Sequence, residues 1–282
     1  MTDNVGDSSA PGQDSAAPDE EPRPQIDASV PHSARVWNYW LGGKDNFGVD
    51  REVGDQLQAM NPQIVRIAQE DRGFLIRAVT YLAGEAGIRQ FLDIGTGLPT
   101  ANNTHQVAQR VAPESKITYV DNDPLVLAHA RALLTSSPEG VTDYISADLH
   151  EPEKILQEAA RTLGFSKPVA VMLLGVVLFI MDDDEARSVV QRLMDACPSG
   201  SYLALTHGTA LIEREAMEEH TRHWNEHGTP KLTMRTPEQI VGLFDGLELL
   251  EPGVVSCPQW RPEGGISQTA EVDVFGGVGR KP

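Results

Sequence analysis

The residues best suited to binding chemistry lie in the segment FLDIGTGLPT, residues 91–100. Gly95 and Gly97 permit a tight turn and let a ligand approach the backbone closely. Asp93 stands two positions before the first glycine, and Thr100 occupies the place of the third glycine in a dinucleotide-binding G-x-G-x-x-G. A carboxylate there opposes a pyrophosphate and favours a ligand with positive charge. We therefore expect Asp93, Gly95, Thr96 and Gly97 to bind such a ligand, the alternative being that Asp93 only caps the turn.

Two more acids follow apolar segments further along the chain. Asp121, beside Asn122, ends the second segment, where a carboxylate accepts hydrogen bonds from both hydroxyls of a ribose. Asp148 follows the third, placed to accept from an adenine amino group with Leu149 against the ring. The alternative is that these residues simply turn the chain. Together the acids favour S-adenosylmethionine, which carries an ammonium and a sulfonium, and whose carboxylate suits backbone N–H groups at a helix start.

Alternating strand and helix patterns are predicted to position these residues. Apolar runs predict seven strands, at 90–94, 116–120, 142–146, within 168–180, and at 201–206, 247–250 and 270–275. Amphipathic patterns between the first five predict helices at 103–110, 124–134, 151–163 and 184–196. This rhythm predicts a Rossmann-like α/β fold, a mostly parallel seven-stranded sheet with helices on both faces. Open sheets of this kind bind ligands at the carboxyl ends of their strands.

The remaining segments divide the chain. Residues 1–30 are acidic and poor in large apolar side chains, so we predict a disordered tail. Residues 31–282 form the folded domain, with an N-terminal helical cap at 31–88, containing helices 31–40 and 62–83, and a core at 89–282. A helical insertion at about 208–245 contains a helix at 211–227 and another that begins at Thr236-Pro237.

Composition narrows the partners. The 282 residues include 23 Lys and Arg against 41 Asp and Glu, a formal net charge of −18, which disfavours a nucleic-acid partner. No apolar run reaches the roughly 18 residues of a membrane span, and the N-terminus lacks the apolar region of a signal peptide. Two cysteines, Cys197 and Cys257, are too few for a disulfide framework or a thiolate metal site, so we expect a cytoplasmic protein. The composition leaves the oligomeric state open.

Three segments resemble a known family. PHSARVWNYWLGGKDNF at 31–47, FLDIGTGLPTANNTH at 91–105 and YVDNDPLVLAHARALL at 119–134 are similar to the S-adenosylmethionine-dependent methyltransferases of actinomycetes once catalogued as a domain of unknown function. The likeness runs from about residue 31 to 275. It implies a class I methyltransferase fold, cofactor contacts at Asp93, Gly95, Gly97, Asp121 and Asp148, and an N-terminal segment that closes over the cofactor. Relatives often carry His before Phe179, where this chain has Leu178, and the family's methyl acceptor is generally undefined.

Methyl transfer demands alignment more than any fixed catalytic motif, because the cofactor supplies the activated carbon. His207, at the end of the fifth predicted strand, is the leading candidate for a base, the alternative being a His bonded within a loop. His220, His223 and His227 share a helix without the carboxylate or Cys pattern that completes a metal site, so we expect no metal. Trp37, near the N-terminus, belongs either to a lid or to the core.

Two other functions fit parts of the pattern. A non-catalytic sensor or partner protein would keep the same S-adenosylmethionine site without transferring a methyl group. A nicotinamide-dependent oxidoreductase would use a glycine loop too, but Asp93 and Thr100 count against it. The favoured interpretation is a methyltransferase that acts on a small-molecule acceptor.

Overall fold

A computed structural model of the protein describes residues 26–133, 135–265 and 269–282. The predicted disordered tail, residues 1–30, lies outside these ranges except for residues 26–30, which are exposed and belong to no helix or strand. Leu134, the last residue of the predicted helix 124–134, also lies outside them.

The eight strands within the described ranges form one mixed sheet. They are β1 Gln90–Ile94, β2 Lys116–Asp121, β3 Val141–Ser146, β4 Ala170–Leu174, β5 Tyr202–Gly208, β6 Glu248–Leu249, β7 Val255–Ser256 and β8 Val274–Arg280. Their order is β3-β2-β1-β4-β5-β8-β6, with β7 also paired to β8. The first five strands are parallel, and β8 runs antiparallel to β5, β6 and β7. The predicted α/β class is therefore confirmed.

Nine α-helices accompany the strands in the described part of the chain. They are α1 Ser33–Trp40, α2 Gly48–Met60, α3 Ile64–Gly84, α4 Thr104–Val111, α5 Pro124–Leu133, α6 Pro152–Ala159, α7 Asp183–Asp195, α8 Arg214–His227 and α9 Pro237–Gly242. Short 3₁₀ turns stand at Val177–Phe179 and Cys257–Gln259. Each described helix is too short or too polar to cross a membrane.

Alternate residues of the parallel strands enter two separate apolar clusters, one on each face of the sheet. Phe91 packs with the cluster that includes Phe74 of α3 and Val107 of α4. Its neighbour Leu92 packs with the opposite cluster, which includes Val189 of α7 and Ile240 of α9. Both strand residues are fully buried. Because successive strand side chains point to opposite faces, a continuous apolar run covers both layers, as the strand pattern predicts.

The closing part of the sheet differs from the prediction. The predicted bounds of the last strand, 270–275, are wrong, because β8 spans Val274–Arg280 and carries three glycines. A Cβ on Gly276 would lie 3.0 Å from the Leu205 carbonyl oxygen, and one on Gly279 would lie 2.9 Å from Phe244. These close approaches require glycine, a residue that weakens any strand pattern. The predicted count of seven strands also lacked β7, which is only two residues long.

The N-terminal cap contains a helix that the pattern did not predict. Helix α2, with Gly48 and Gly54 in its sequence, is held to α1 by a buried ion pair between Arg35 Nε and Asp50, at 3.1 and 3.0 Å from the two carboxylate oxygens. The Asp50 carboxylate also accepts the backbone N–H groups of His32 at 3.0 Å and Phe47 at 2.8 Å. Since this carboxylate accepts from three donors, one of them shared between its two oxygens, it fixes the start of both helices.

We expect Asp50→Ala to lower the free energy of unfolding by about 3–5 kcal/mol, because it leaves the Arg35 guanidinium buried without its partner. Urea denaturation followed by circular dichroism measures the change. Glu52→Ala, an exposed site on the same helix, serves as the matched control and should stay within about 0.5 kcal/mol of the parent. Equal stability of the two variants would contradict the role given to the ion pair.

Candidate functional site

The glycine loop after β1 has the backbone that its sequence predicts. Gly95 and Gly97 adopt φ of 73° and 62°, a region that L side chains rarely enter. A Cβ on Gly95 would come within 2.3 Å of Val176, whereas one on Gly97 would meet nothing within 4 Å. Gly95 is therefore required by packing as well as by φ, and the backbone at Gly97 is open to an approaching ligand.

A cavity of about 200 Å³ opens at the carboxyl ends of β1 to β4. All eight residues that the sequence assigned to cofactor binding line it: Asp93, Gly95, Thr96, Gly97, Asp121, Asn122, Asp148 and Leu149. Helix α1 supplies part of the wall through His32, Trp37 and Asn38. The parallel strands thus bring four separate loops and the N-terminal helix to one space.

Asp93 carries a strongly perturbed carboxyl group. Its side chain is buried, and Thr104 Oγ1 donates a hydrogen bond to its Oδ2 at 2.6 Å. Burial raises the pKa of Asp93 to about 6, although the Thr104 hydrogen bond and the positive charge of Arg72 act in the opposite direction. A nearby cation would favour the ionised form and lower this pKa.

Arg72 and Asp71, both on α3, line the same cavity and were missed from the sequence. Burial lowers the pKa of Arg72, and the negative charges of Asp71 and Asp93 oppose that shift. Among the described residues, no hydrogen bond or ion pair engages the Arg72 guanidinium. The run QEDRG, residues 69–73, gave no signal, because charged residues within a helix usually face solvent.

The two acids predicted to hold ribose and adenine already accept hydrogen bonds. The Asp121 carboxylate accepts from the backbone N–H groups of Gly97 and Asp123, each at 2.9 Å. Burial raises the pKa of Asp121, and those two hydrogen bonds act against the increase. Asp148 Oδ2 accepts from Asn122 Nδ2 at 2.7 Å. Asp121 therefore joins the ends of β1 and β2, and the Asn122–Asp148 pair joins the ends of β2 and β3.

The predicted base, His207, does not line the cavity. Its side chain is fully buried, with Nε2 at 2.8 Å from an Arg235 guanidinium nitrogen and Nδ1 at 2.8 Å from the Gly208 carbonyl oxygen. Because a guanidinium only donates, Nε2 accepts and the proton resides on Nδ1. Burial, helped by the Arg235 charge, lowers the pKa of His207 to about 4. The structure therefore places the expected base outside the cavity, where it fastens β5 to the segment before α9, as in the alternative of a His bonded within the fold.

No metal centre is assembled in the residues that the structure describes, where no group of three or more His, Cys, Asp or Glu side chains is arranged to hold an ion. His223 instead contacts Gln56 of α2 through Nε2 at 3.0 Å, and its ring stacks on that of His227. His220 is buried against Trp40, with ring centroids 6.0 Å apart. His223 and His227 therefore lie together, and His220 is buried apart from them.

Comparison with known proteins gives one consistent family. A family model described as S-adenosyl methyltransferase matches residues 19–282. A crystal structure of a DUF574 family protein from Streptomyces avermitilis is 42% identical, covers 92% of this chain and all of its own, and superposes with a TM-score of 0.88. A protein from Thermobifida fusca is 41% identical, with 92% of this chain and 98% of its own covered and a TM-score of 0.83.

A more distant similarity supports the fold alone. An O-methyltransferase family protein from Burkholderia thailandensis is 16% identical, covers 78% of this chain and 62% of its own, and has a TM-score of 0.50. None of the curated proteins is detectably similar to the chain in sequence.

We expect His207→Ala to lower the free energy of unfolding by about 1–3 kcal/mol, because it leaves a buried Arg235 N–H without its acceptor. The affinity for S-adenosylhomocysteine, measured by calorimetry at a temperature where the variant is folded, should not change. A variant of normal stability that binds S-adenosylhomocysteine more weakly would instead indicate that His207 acts in ligand binding.

Proposed function

Because the chain belongs to the S-adenosyl methyltransferase family, we propose that it transfers a methyl group from S-adenosylmethionine to a small-molecule acceptor. The family supplies the cofactor, and the acceptor class is our own proposal. One observation carries the placement of the cofactor: the glycine loop and the acids that end or follow β1, β2 and β3 line a single cavity.

The charges around that cavity fit this cofactor. Within the described residues, four aspartates and a single arginine line it: Asp71, Asp93, Asp121, Asp148 and Arg72. A ligand with an ammonium, a sulfonium and one carboxylate complements that set, whereas a diphosphate would bring two negative charges to buried carboxyl groups. The donor set therefore favours the methyl donor over a nicotinamide dinucleotide.

Each residue then has a role that its position supports. Asp93, just before the glycine loop, binds the ammonium group, and Arg72 binds the carboxylate. The opposite charges of these two side chains act on each other, so together they match the amino-acid end of the cofactor. Asp121 accepts hydrogen bonds from the ribose hydroxyls, while Gly95, Thr96 and Gly97 let the cofactor approach the loop backbone closely. Asp148 and Asn122 bond the adenine edge, with Leu149 against the ring. Arg72 takes the place of the backbone N–H groups at a helix start, which the sequence analysis expected to bind the carboxylate.

The bound cofactor would supply a methyl carbon activated by the adjacent sulfonium. The chain's own part is alignment and exclusion of water, which hold an acceptor atom in line with that carbon. Trp37 of α1, Leu41 just after it and Phe179 after β4 form an apolar part of the cavity wall. Desolvation by such a wall strengthens the interactions of the buried charges.

A small acceptor and a cytoplasmic location complete the proposal. The net charge of −18 opposes a phosphate backbone, so a nucleic-acid acceptor is disfavoured. Cys197 and Cys257 are free and buried, a state that suits a reducing compartment.

Transfer itself is tested by incubating the full chain with S-adenosylmethionine labelled on the methyl group and a small-molecule extract. We expect label in at least one extracted compound, and none when the extract is replaced by buffer. A protein that binds the cofactor but labels nothing would behave as a sensor and contradict the proposal.

The pKa of Asp93 predicts a pH dependence of cofactor binding. In the free protein this pKa is about 6, and a cationic ligand favours the ionised carboxylate, so below pH 6 binding must displace a proton. Affinity for S-adenosylhomocysteine at pH 5 should therefore be roughly tenfold weaker than at pH 7.5 by calorimetry. Asp93→Asn should remove this dependence and the exposed-site control Asp195→Asn should keep it, whereas a flat wild-type profile would contradict the assignment.

Arg72→Ala tests the carboxylate contact. We expect it to weaken S-adenosylhomocysteine binding by roughly 10- to 150-fold, the equivalent of one charged hydrogen bond. The affinity for 5′-methylthioadenosine, which lacks the amino-acid end, should be unchanged. Arg161→Ala, an exposed charge-matched control, should alter neither ligand. Equal losses for both ligands would mean that Arg72 acts on the fold instead of the carboxylate.

A further inference from the structure

A second, smaller chamber of about 80 Å³ adjoins the cofactor cavity. Ser33, Trp37, Asp71, Gly175 and Phe179 line both spaces, so one wall is common to the two. The rest of the chamber is formed mainly by apolar side chains of α1, α3, α8 and the segment before α9. None of its residues entered the sequence-based cofactor site.

One polar group in this apolar chamber has no partner. His220 of α8 is only 4% exposed, and its Nδ1 is buried without a hydrogen-bond partner in the described structure. His129 and His227, also on helices, place Nδ1 at 2.9 Å from the carbonyl oxygen four residues earlier. His220 does not, so its ring is available to a ligand. Burial lowers the pKa of His220 to about 4, which keeps the imidazole neutral at pH 7 and able to donate or accept.

The two acidic side chains of the chamber, Asp273 and Asp71, already accept hydrogen bonds within the protein. Asp273 accepts a hydrogen bond from Thr209 Oγ1 at 2.8 Å and from the three backbone N–H groups immediately before α8, at 2.7 to 2.9 Å. Asp71, on the common wall, accepts from Thr206 Oγ1. Among these groups, His220 is thus the one with an unpaired buried atom away from the cofactor cavity.

Size and lining restrict the occupant. An apolar cavity of about 150 Å³ holds benzene, so a chamber of about 80 Å³ is too small to enclose a whole ring by itself, and a single ring that enters it must also occupy part of the adjoining cofactor cavity. Trp37, Trp40 and Trp224 line it, and such side chains pack favourably against another aromatic ring. Among the described residues, the lining contains no Lys or Arg to pair with an acidic ligand.

We propose that this chamber is the methyl-acceptor site, and that it takes a small neutral aromatic molecule whose hydroxyl or amino group hydrogen-bonds to His220. The inference rests on the proposed function, because an acceptor must meet the cofactor, and the common wall is where the two spaces meet. His220 anchors the far end of the acceptor and so directs the near end past Asp71 toward the cofactor cavity.

Phenol and toluene are the probes, because they differ by one hydroxyl group. Three of the four tryptophans line the chamber, so quenching of tryptophan fluorescence in the full chain, with S-adenosylhomocysteine present, reports binding. We expect phenol to bind about five- to tenfold more tightly than toluene. His220→Phe should reduce phenol to the affinity of toluene, while the control His227→Phe, on the exposed side of the same helix, should keep the difference.

A second variant guards against misfolding of the first. Leu178→Trp adds bulk to the chamber wall and should abolish binding of both probes while leaving the affinity for S-adenosylhomocysteine unchanged. Phenol that binds His220→Phe as tightly as wild type, or both probes binding Leu178→Trp normally, would overturn the inference and leave the proposed function intact. Failure of the wild-type chain to bind S-adenosylhomocysteine would instead overturn the proposed function, and this inference with it.

Discussion

Buried negative charge at the carboxyl edge of the sheet is the constraint on which the site depends. Asp71, Asp93 and Asp121 are all buried, and burial raises the pKa of each. A desolvated carboxylate is unfavourable unless donors or cations compensate it. Thr104, the backbone N–H groups around the glycine loop and the positive charge of Arg72 each provide part of that compensation. A cationic ligand would complete it, which links the stability of this edge to occupancy of the cavity.

The N-terminal helix covers part of this edge and forms one wall of the cavity. The ion pair between Arg35 and Asp50 holds α1 against α2. The backbone N–H of Ser33 donates a hydrogen bond to the Thr229 carbonyl oxygen at 3.1 Å, which attaches the start of α1 to the segment that follows α8. Helix α1 thereby presents Trp37 to both the cavity and the smaller chamber. The packing of one short helix consequently shapes the space for two different ligands.

The parts of the site that the sequence predicted share one property: they follow apolar strands. Asp93, Asp121 and Asp148 were predicted because a parallel sheet aligns the ends of its strands, and the structure brings them to one cavity. Their contact with the cofactor stays a prediction. The core strands were predicted equally well, because runs buried on both faces are apolar throughout.

The remainder depended on contacts between distant segments. Arg72 and Asp71 lie on a helix whose orientation toward the cavity follows from packing. His207 also ends a strand, but Arg235, distant in sequence, engages its Nε2 and holds the ring outside the cavity. The glycines of β8 leave room for Leu205 and Phe244, and no local sequence pattern shows that these residues are their neighbours.

Charge selection at the glycine loop is the claim on which the placement of the cofactor in the cavity depends. Its most direct test is a pair of calorimetric titrations of the full chain at pH 7.5, one with S-adenosylhomocysteine and one with NADH. The account predicts saturable binding of S-adenosylhomocysteine and no detectable heat from NADH. Tight binding of NADH, with S-adenosylhomocysteine unable to displace it, would contradict the account.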